Sequence, residues 1–216
     1  MSSAAARSRT SAGRRPRRGR STTRRRRFRA PLLAGLLAAG TVAILVGLGP
    51  LNDVIREVTL PLRHDDIIRQ QAAQKNVDAA LIAAVIYEES KFRDQTSHAG
   101  ARGLMQITPE TARFIAHRTG GVRFSQADLA TPQINISYGT YYLRYLIDHY
   151  QGNETLAVAA YNAGQTNVDG WVRKAGGPGS FDPGADIPFP ETRGYVNGVV
   201  SHRHDYRHHY ANELGY

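Results

Sequence analysis

The chain has 216 residues, no cysteine and a formal net charge of +10. That length allows one folded domain plus an arm or anchor, and the missing thiols exclude disulfides and thiolate metal sites. The charge says little about the folded part's ligand: 12 of the 28 basic residues are arginines within the first 30 positions, which hold no acid, leaving 16 basic against 18 acidic residues elsewhere.

Residues 1–30 read as a disordered, arginine-rich cytoplasmic arm, with Ser, Thr, Gly and Pro interleaved and nothing to build a core. Nucleic acid or anionic lipid could meet such an arm. Phe28 is its lone aromatic, so no base-stacking surface is expected and no specific nucleic acid is assigned. Residues 31–51 carry no charge and are apolar almost throughout, long enough to span a bilayer as a helix. The preceding arginines place the N-terminus in the cytoplasm and everything after about Asn52 outside it. A cleaved signal peptide is the rival reading. The run is long for that, and no small-x-small cleavage site follows it. The expectation is a single-pass signal-anchor in the cell membrane, with the remaining chain extracytoplasmic.

Residues 52–63 read as a linker containing Pro61, and 64–216 as one compact, mainly α domain. Ile67, Ile68 and Ala72 give helical spacing over 65–75. Asp78 suits the N-cap of a helix over 79–87 whose Leu81, Ile82, Val85 and Ile86 leave no polar face, so it should be buried nearly all round. Thr108-Pro109 opens a helix over 109–119 that stops at Gly120-Gly121. The longest helix covers 133–150, with Ile134, Tyr138, Tyr141, Tyr142, Tyr145 and Leu146 as packing residues. Another covers 154–163 and ends at Gly164. Residues 176–190 are rich in Gly and Pro and read as a loop, and a last helix covers 191–206.

Chemistry concentrates where the apolar 79–87 helix ends. Glu88 and Glu89 are adjacent, so only one can face a cleft. A carboxyl group against Ile82, Val85 and Ile86 is disfavoured as an anion and can keep its proton near neutral pH, as a general acid must. The cluster His202, His204, His208 and His209 has the i, i+4 spacing of shared metal ligation, but no accompanying carboxylate motif. It reads as a solvated tract, and neither metal nor cofactor is expected.

Four segments resemble the soluble-lytic-transglycosylase-like (SLT-like) domain, which has the goose-type lysozyme fold. They are Glu89-Ser90-Lys91-Phe92; the run from Gly100 through Gly103-Leu104-Met105-Gln106-Ile107 to Ala112; Ala160-Tyr161-Asn162-Ala163-Gly164 with Val168 and Trp171; and Ile187-Pro188-Phe189-Pro190-Glu191-Thr192-Arg193-Gly194-Tyr195-Val196. The turn 93–99 is one residue shorter than the family's and lacks its proline. The resemblance implies a lysozyme-like helical domain that cleaves the β-1,4 bond between N-acetylmuramic acid and N-acetylglucosamine in peptidoglycan, leaving a 1,6-anhydromuramic end. It selects Glu89 as the single acid and base, with Tyr195 orienting the carboxyl. Ser90, Ser97, Met105, Gln106, Tyr161, Asn162 and, less centrally, Glu191 are the implied sugar contacts. Glycan strands and the membrane are the expected partners of a monomer. A goose-lysozyme-like hydrolase would need a further carboxylate to activate water, for which Asp94 and Asp169 are candidates. A non-catalytic wall-binding module is the alternative of another class.

Overall fold

The computed structural model describes residues 55–120 and 125–216. The readings of residues 1–51, arm and anchor alike, lie outside the described residues. Among those described, no helix is long and apolar enough to cross a membrane.

Residues 55–59 are helical, and after them come α1 (Asp65–Lys75), α2 (Ala79–Ser90), α3 (Pro109–Thr119), a 3-10 turn (Gln126–Ala130), α4 (Pro132–His149), α5 (Glu154–Ala163), α6 (Gln165–Lys174), α7 (Pro183–Asp186), α8 (Pro190–His209) and α9 (Ala211–Leu214). No strands form among the described residues. The loop between α2 and α3 holds only two isolated antiparallel bridges, Thr96 with Arg102 and Arg102 with Ile107.

Helix α2 is the axle. Every side chain from Ala79 to Ile86 is buried, which follows from a sequence with no polar face. The Asp78 side chain caps its start by accepting from the Ala80 N–H at 2.9 Å. The same carboxylate binds Arg203 and Arg207 of α8, stapling the start of α2 to the last long helix. Helix α8 packs chiefly along α2 and also against α5, while α5 rests on α4, and α4 on α1. The expected helix over 79–87 runs three residues further, so Glu89 lies inside its last turn. Lys91 and Phe92 then take left-handed backbone (φ 53° and 60°), turning the chain sharply while Phe92 stays buried.

That turn sends 93–108 back over the end of α2, and Asn135 of α4 pins it. Asn135 is fully buried. Its Oδ1 accepts from the Met105 N–H at 2.8 Å, and its Nδ2 donates to the carbonyls of Arg102 and Leu129. Gly103, at φ 80°, is required there, because a Cβ would fall 2.6 Å from the Leu129 carbonyl oxygen and closer still to Asn135. Gly139 of α4 has a different duty: a Cβ there would lie 2.8 Å from the Met105 Cβ, so only glycine lets that side chain reach the core.

The caps read from the sequence at Asp78, Thr108, Gly120 and Gly164 all stand at helix ends. Helix α6 has no counterpart among the expected elements, and α7 lies in the segment read as loop. The expected linker also packs: Leu60 is buried, and the carbonyls of Thr59, Leu60 and Pro61 accept from the hydroxyls of Tyr87, Tyr210 and Tyr206.

Candidate active site

Glu89 and Tyr195 meet where α2 crosses α8. The Tyr195 hydroxyl donates to Glu89 Oε1 at 2.7 Å, and the tyrosine is itself buried. Burial pushes the Glu89 carboxyl up from its ordinary 4.5 to about 7. The Tyr195 hydrogen bond works against that rise, and the neighbouring charge of Glu88 adds to it. Burial, with Glu89 close by, also drives the hydroxyls of Tyr195 and Tyr161 well above the usual phenol range, so both are neutral donors.

Glu88 faces the other way. Its Oε1 lies 2.6 Å from His202 Nδ1 and its Oε2 lies 3.4 Å from Lys91 Nζ. His202 therefore belongs to the packing behind the acid, with its ring 4.3 Å from that of Tyr87, whereas His204 and His208 stack on each other.

The implied sugar contacts divide into two groups. Tyr161 donates to the Met105 carbonyl at 3.0 Å, leaving its half-buried ring at the mouth of the site. Asn162 Oδ1 accepts from Thr192 Oγ1 at 2.8 Å, joining α5 to α8 beside Tyr195. Gln106 holds the loop through Nε2, which donates to the carbonyls of Gly103 and Gln95. Ser97 braces the turn by accepting from the Ala101 N–H. Glu191 is exposed in the first turn of α8. Ser90 and Met105 point inward. Both are buried, the Ser90 hydroxyl is spent on the carbonyls of Ile86 and Leu104, and Met105 fills the core against Gly139. Ser90 thus ties the helix bearing the acid to the loop above it.

A groove of about 600 Å³ adjoins Tyr161 and Asn162, walled by Thr108, Glu110, Phe114, Tyr142, Tyr145 and Gln165. Its aromatic wall is continuous. Tyr142 lies 5.5 Å from Tyr161 and 6.2 Å from Tyr145, and Phe114 lies 5.0 Å from Tyr145. Helical spacing reads Tyr142 and Tyr145 as packing, because a half-buried cleft wall and a core face share one period. Of the two carboxylates considered for activating water, Asp169 is engaged by His149, Tyr150 and Gln165, and Asp94 is exposed in the loop after α2.

The transglycosylase SLT domain family matches residues 66–181. The soluble lytic murein transglycosylase of Escherichia coli is 34% identical over 165 residues, covering 74% of this chain and 25% of that protein. Membrane-bound lytic murein transglycosylase C of Cronobacter sakazakii is 36% identical over 116 residues, covering 49% of this chain and 32% of the relative. Among solved structures, the 70 kDa soluble lytic transglycosylase of Escherichia coli aligns with a TM-score of 0.66 at 34% identity, over 70% of this chain and 25% of that one. An inactive glutamate-to-glutamine mutant of lytic transglycosylase Slt from Pseudomonas aeruginosa aligns with a TM-score of 0.64 at 30% identity, over 73% of this chain and 26% of its own. The chain thus spans about a quarter of the length of the soluble relatives it matches.

Proposed function

This chain belongs to the transglycosylase SLT domain family, and from that premise we propose that it is a peptidoglycan lytic transglycosylase with Glu89 as its single general acid and base. The observation that carries the reading is the buried Glu89–Tyr195 pair, which holds a carboxyl group half-protonated near neutral pH.

The chemistry follows from the two carboxyl oxygens. Oε1 accepts from Tyr195, so the proton resides on Oε2. That proton passes to the glycosidic oxygen as its bond to the muramic anomeric carbon breaks, and the bonding pair leaves with the N-acetylglucosamine. The C6 hydroxyl of the same muramic residue attacks the anomeric carbon and surrenders its proton to the Glu89 carboxylate. One bond forms, one breaks, Glu89 ends protonated again, and no water is consumed. An internal hydroxyl has a large effective molarity, so no second carboxylate is needed to activate it. This agrees with the positions of Asp94 and Asp169, neither of which pairs with Glu89. The name of the inactive Slt mutant from Pseudomonas aeruginosa supports a glutamate as the essential group.

Mass spectrometry of cell wall digested by the protein tests the reading. Anhydromuramic ends are expected, and Glu89→Gln should lower the yield by at least a hundredfold. Reducing ends in their place would mean hydrolysis, and an unchanged yield from the mutant would remove Glu89 from the chemistry. The apolar run 31–51 behind its arginine block further supports a single-pass anchor with the domain in the cell envelope. The membrane-bound relative from Cronobacter sakazakii makes such a location natural for the family.

A further inference from the structure

The helical residues 55–59 at the start of the described chain turn apolar side chains to solvent. Val58 is 77% exposed, more than any other large apolar residue among those described, and Ile55 is 50% exposed. Three positions apart on a helix, they share a face. Val58 also lines a recess of about 460 Å³ together with Glu57, Arg63, Tyr87, Lys91 and Arg93. Three cations meet one acid there. Lys91 is partly committed, 3.4 Å from Glu88 and 3.8 Å from the Tyr87 ring centroid. Arg63 and Arg93 are exposed, and no carboxylate lies within ion-pair distance of either among the described residues.

Guanidinium forks match phosphate oxygens, and apolar side chains beside them suit a surface that is anionic outside and apolar just beneath. An anionic bilayer is such a surface. A soluble polyanion would satisfy the arginines and leave Ile55 and Val58 in water. The chain argues for the same occupant. The uncharged run 31–51 ends four positions before Ile55, and four residues reach at most about 14 Å. A chain that crosses the bilayer through that run keeps this face within reach of the headgroups. Docking there also leaves the active site free. None of the residues lining the recess lines the groove beside Tyr161, and the carboxylate that Lys91 meets is Glu88, which faces away from Glu89.

We propose that the face formed by Ile55, Val58, Arg63 and Arg93 docks on anionic phospholipid headgroups and so orients the domain on the membrane with its cleft uncovered. This rests on the reading of residues 31–51 as an anchor. It adds a fixed orientation, where a tether alone would leave the domain free to turn.

The experiment uses the full chain, which has no cysteine, so Val58→Cys gives a single attachment point for a polarity-sensitive fluorophore. The labelled protein is reconstituted in vesicles of phosphatidylcholine alone and of phosphatidylcholine mixed with phosphatidylglycerol, each with a quencher on the headgroups. Strong quenching is expected only where phosphatidylglycerol is present. Each cation close to such a surface multiplies occupancy by about five, so Arg63→Gln combined with Arg93→Gln should cut the ratio of docked to undocked chains roughly 25-fold. Both arginines lie outside the cleft, and the double variant should cleave soluble glycan in detergent as the parent does, which reports its folding. Salt titration of the parent needs no further substitution: raising ionic strength should release the label. Quenching that is equal on the two vesicles and indifferent to salt would show a tether and nothing more, and would overturn the proposal, as would no quenching on either. A chain that alkaline carbonate strips from both vesicles refutes the anchor. The docking face is then judged separately by flotation before the wash: preference for phosphatidylglycerol supports it, and equal flotation rejects it.

Discussion

At the scale of single residues, the chemistry reduces to two influences pulling on one carboxyl group. Burial raises the Glu89 pKa to about 7, and the hydrogen bond from Tyr195 restrains the rise by favouring the anion. Removing only the hydroxyl, in Tyr195→Phe, should therefore carry the pKa above 7. The acid then stays protonated to higher pH, so the alkaline limb of the kcat/KM profile should move upward. Its plateau should fall roughly tenfold as the carboxyl loses its orientation. A limb that moved downward would mean that the tyrosine does not stabilise the anion. The same balance governs stability. A group whose pKa is higher folded than unfolded contributes fully below its unfolded value, near 4.5, and loses that contribution as pH rises through about 7. Glu89→Gln has no charge to bury. Its melting temperature should match the parent's near pH 4 and exceed it by several degrees at pH 8, in keeping with a penalty on the order of 3 kcal/mol in the parent. The apolar helix end offered two adjacent glutamates, and the resemblance carried by Glu89-Ser90-Lys91-Phe92 is what chose between them. The inward aim of Ser90 and Met105 was not legible. A short motif fixes which residues are near a site without fixing which way each side chain turns.

At the scale of elements, the site depends on a loop that lacks regular structure of its own. The segment between α2 and α3 is fastened by two short bridges and by Asn135 from α4, which satisfies the buried Met105 N–H, the buried Leu129 carbonyl and the half-buried Arg102 carbonyl. Asn135→Ala strands those groups in the interior and opens a small void. It should cost about 3 kcal/mol in urea denaturation, and it should loosen the loop that receives Tyr161. A variant within 1 kcal/mol of the parent would show that water replaces the amide without penalty. Nothing in the local sequence announces this role, because Asn135 falls in the second turn of α4, where an asparagine is more often solvated. Helix α6 escaped notice for a related reason. Gly164 opens it, Gly170 interrupts it, and no side chain caps it, so local propensity argues against a helix. What forms it is Val168, fully buried, with Trp171 and Val172 packed on the core alongside α5. Where a cap marks the boundary, as at Asp78 or Thr108, sequence and structure agree. Where only tertiary burial does, the sequence is silent.

At the scale of the whole molecule, the folded unit begins earlier than hydrophobic patterning suggests. Contacts group Asp53–Tyr216 together, although the stretch before His64 reads as a linker because it has a proline and no sustained period. Three tyrosines explain the difference. Tyr206 and Tyr210 of α8 and its C-terminal edge, both buried, donate to the carbonyls of Pro61 and Leu60, and Tyr87 of α2 donates to that of Thr59. These bonds attach the segment to the two helices that carry Glu89 and Tyr195. Two proteins beginning at residues 53 and 64 should therefore differ. Net gains of about 1 kcal/mol for each hydrogen bond, together with the burial of Leu60, put the shorter one roughly 3 kcal/mol or more below the longer in stability. Loosening the pairing of α2 and α8 should also lower kcat on peptidoglycan, since the Glu89–Tyr195 distance depends on it. Chemical denaturation of both proteins, followed by a rate assay well below the melting temperature of each, checks the two effects separately. Equal stabilities would return residues 55–63 to the role of a tether. Equal rates with unequal stabilities would show that the site is held by the crossing of α2 and α8 alone.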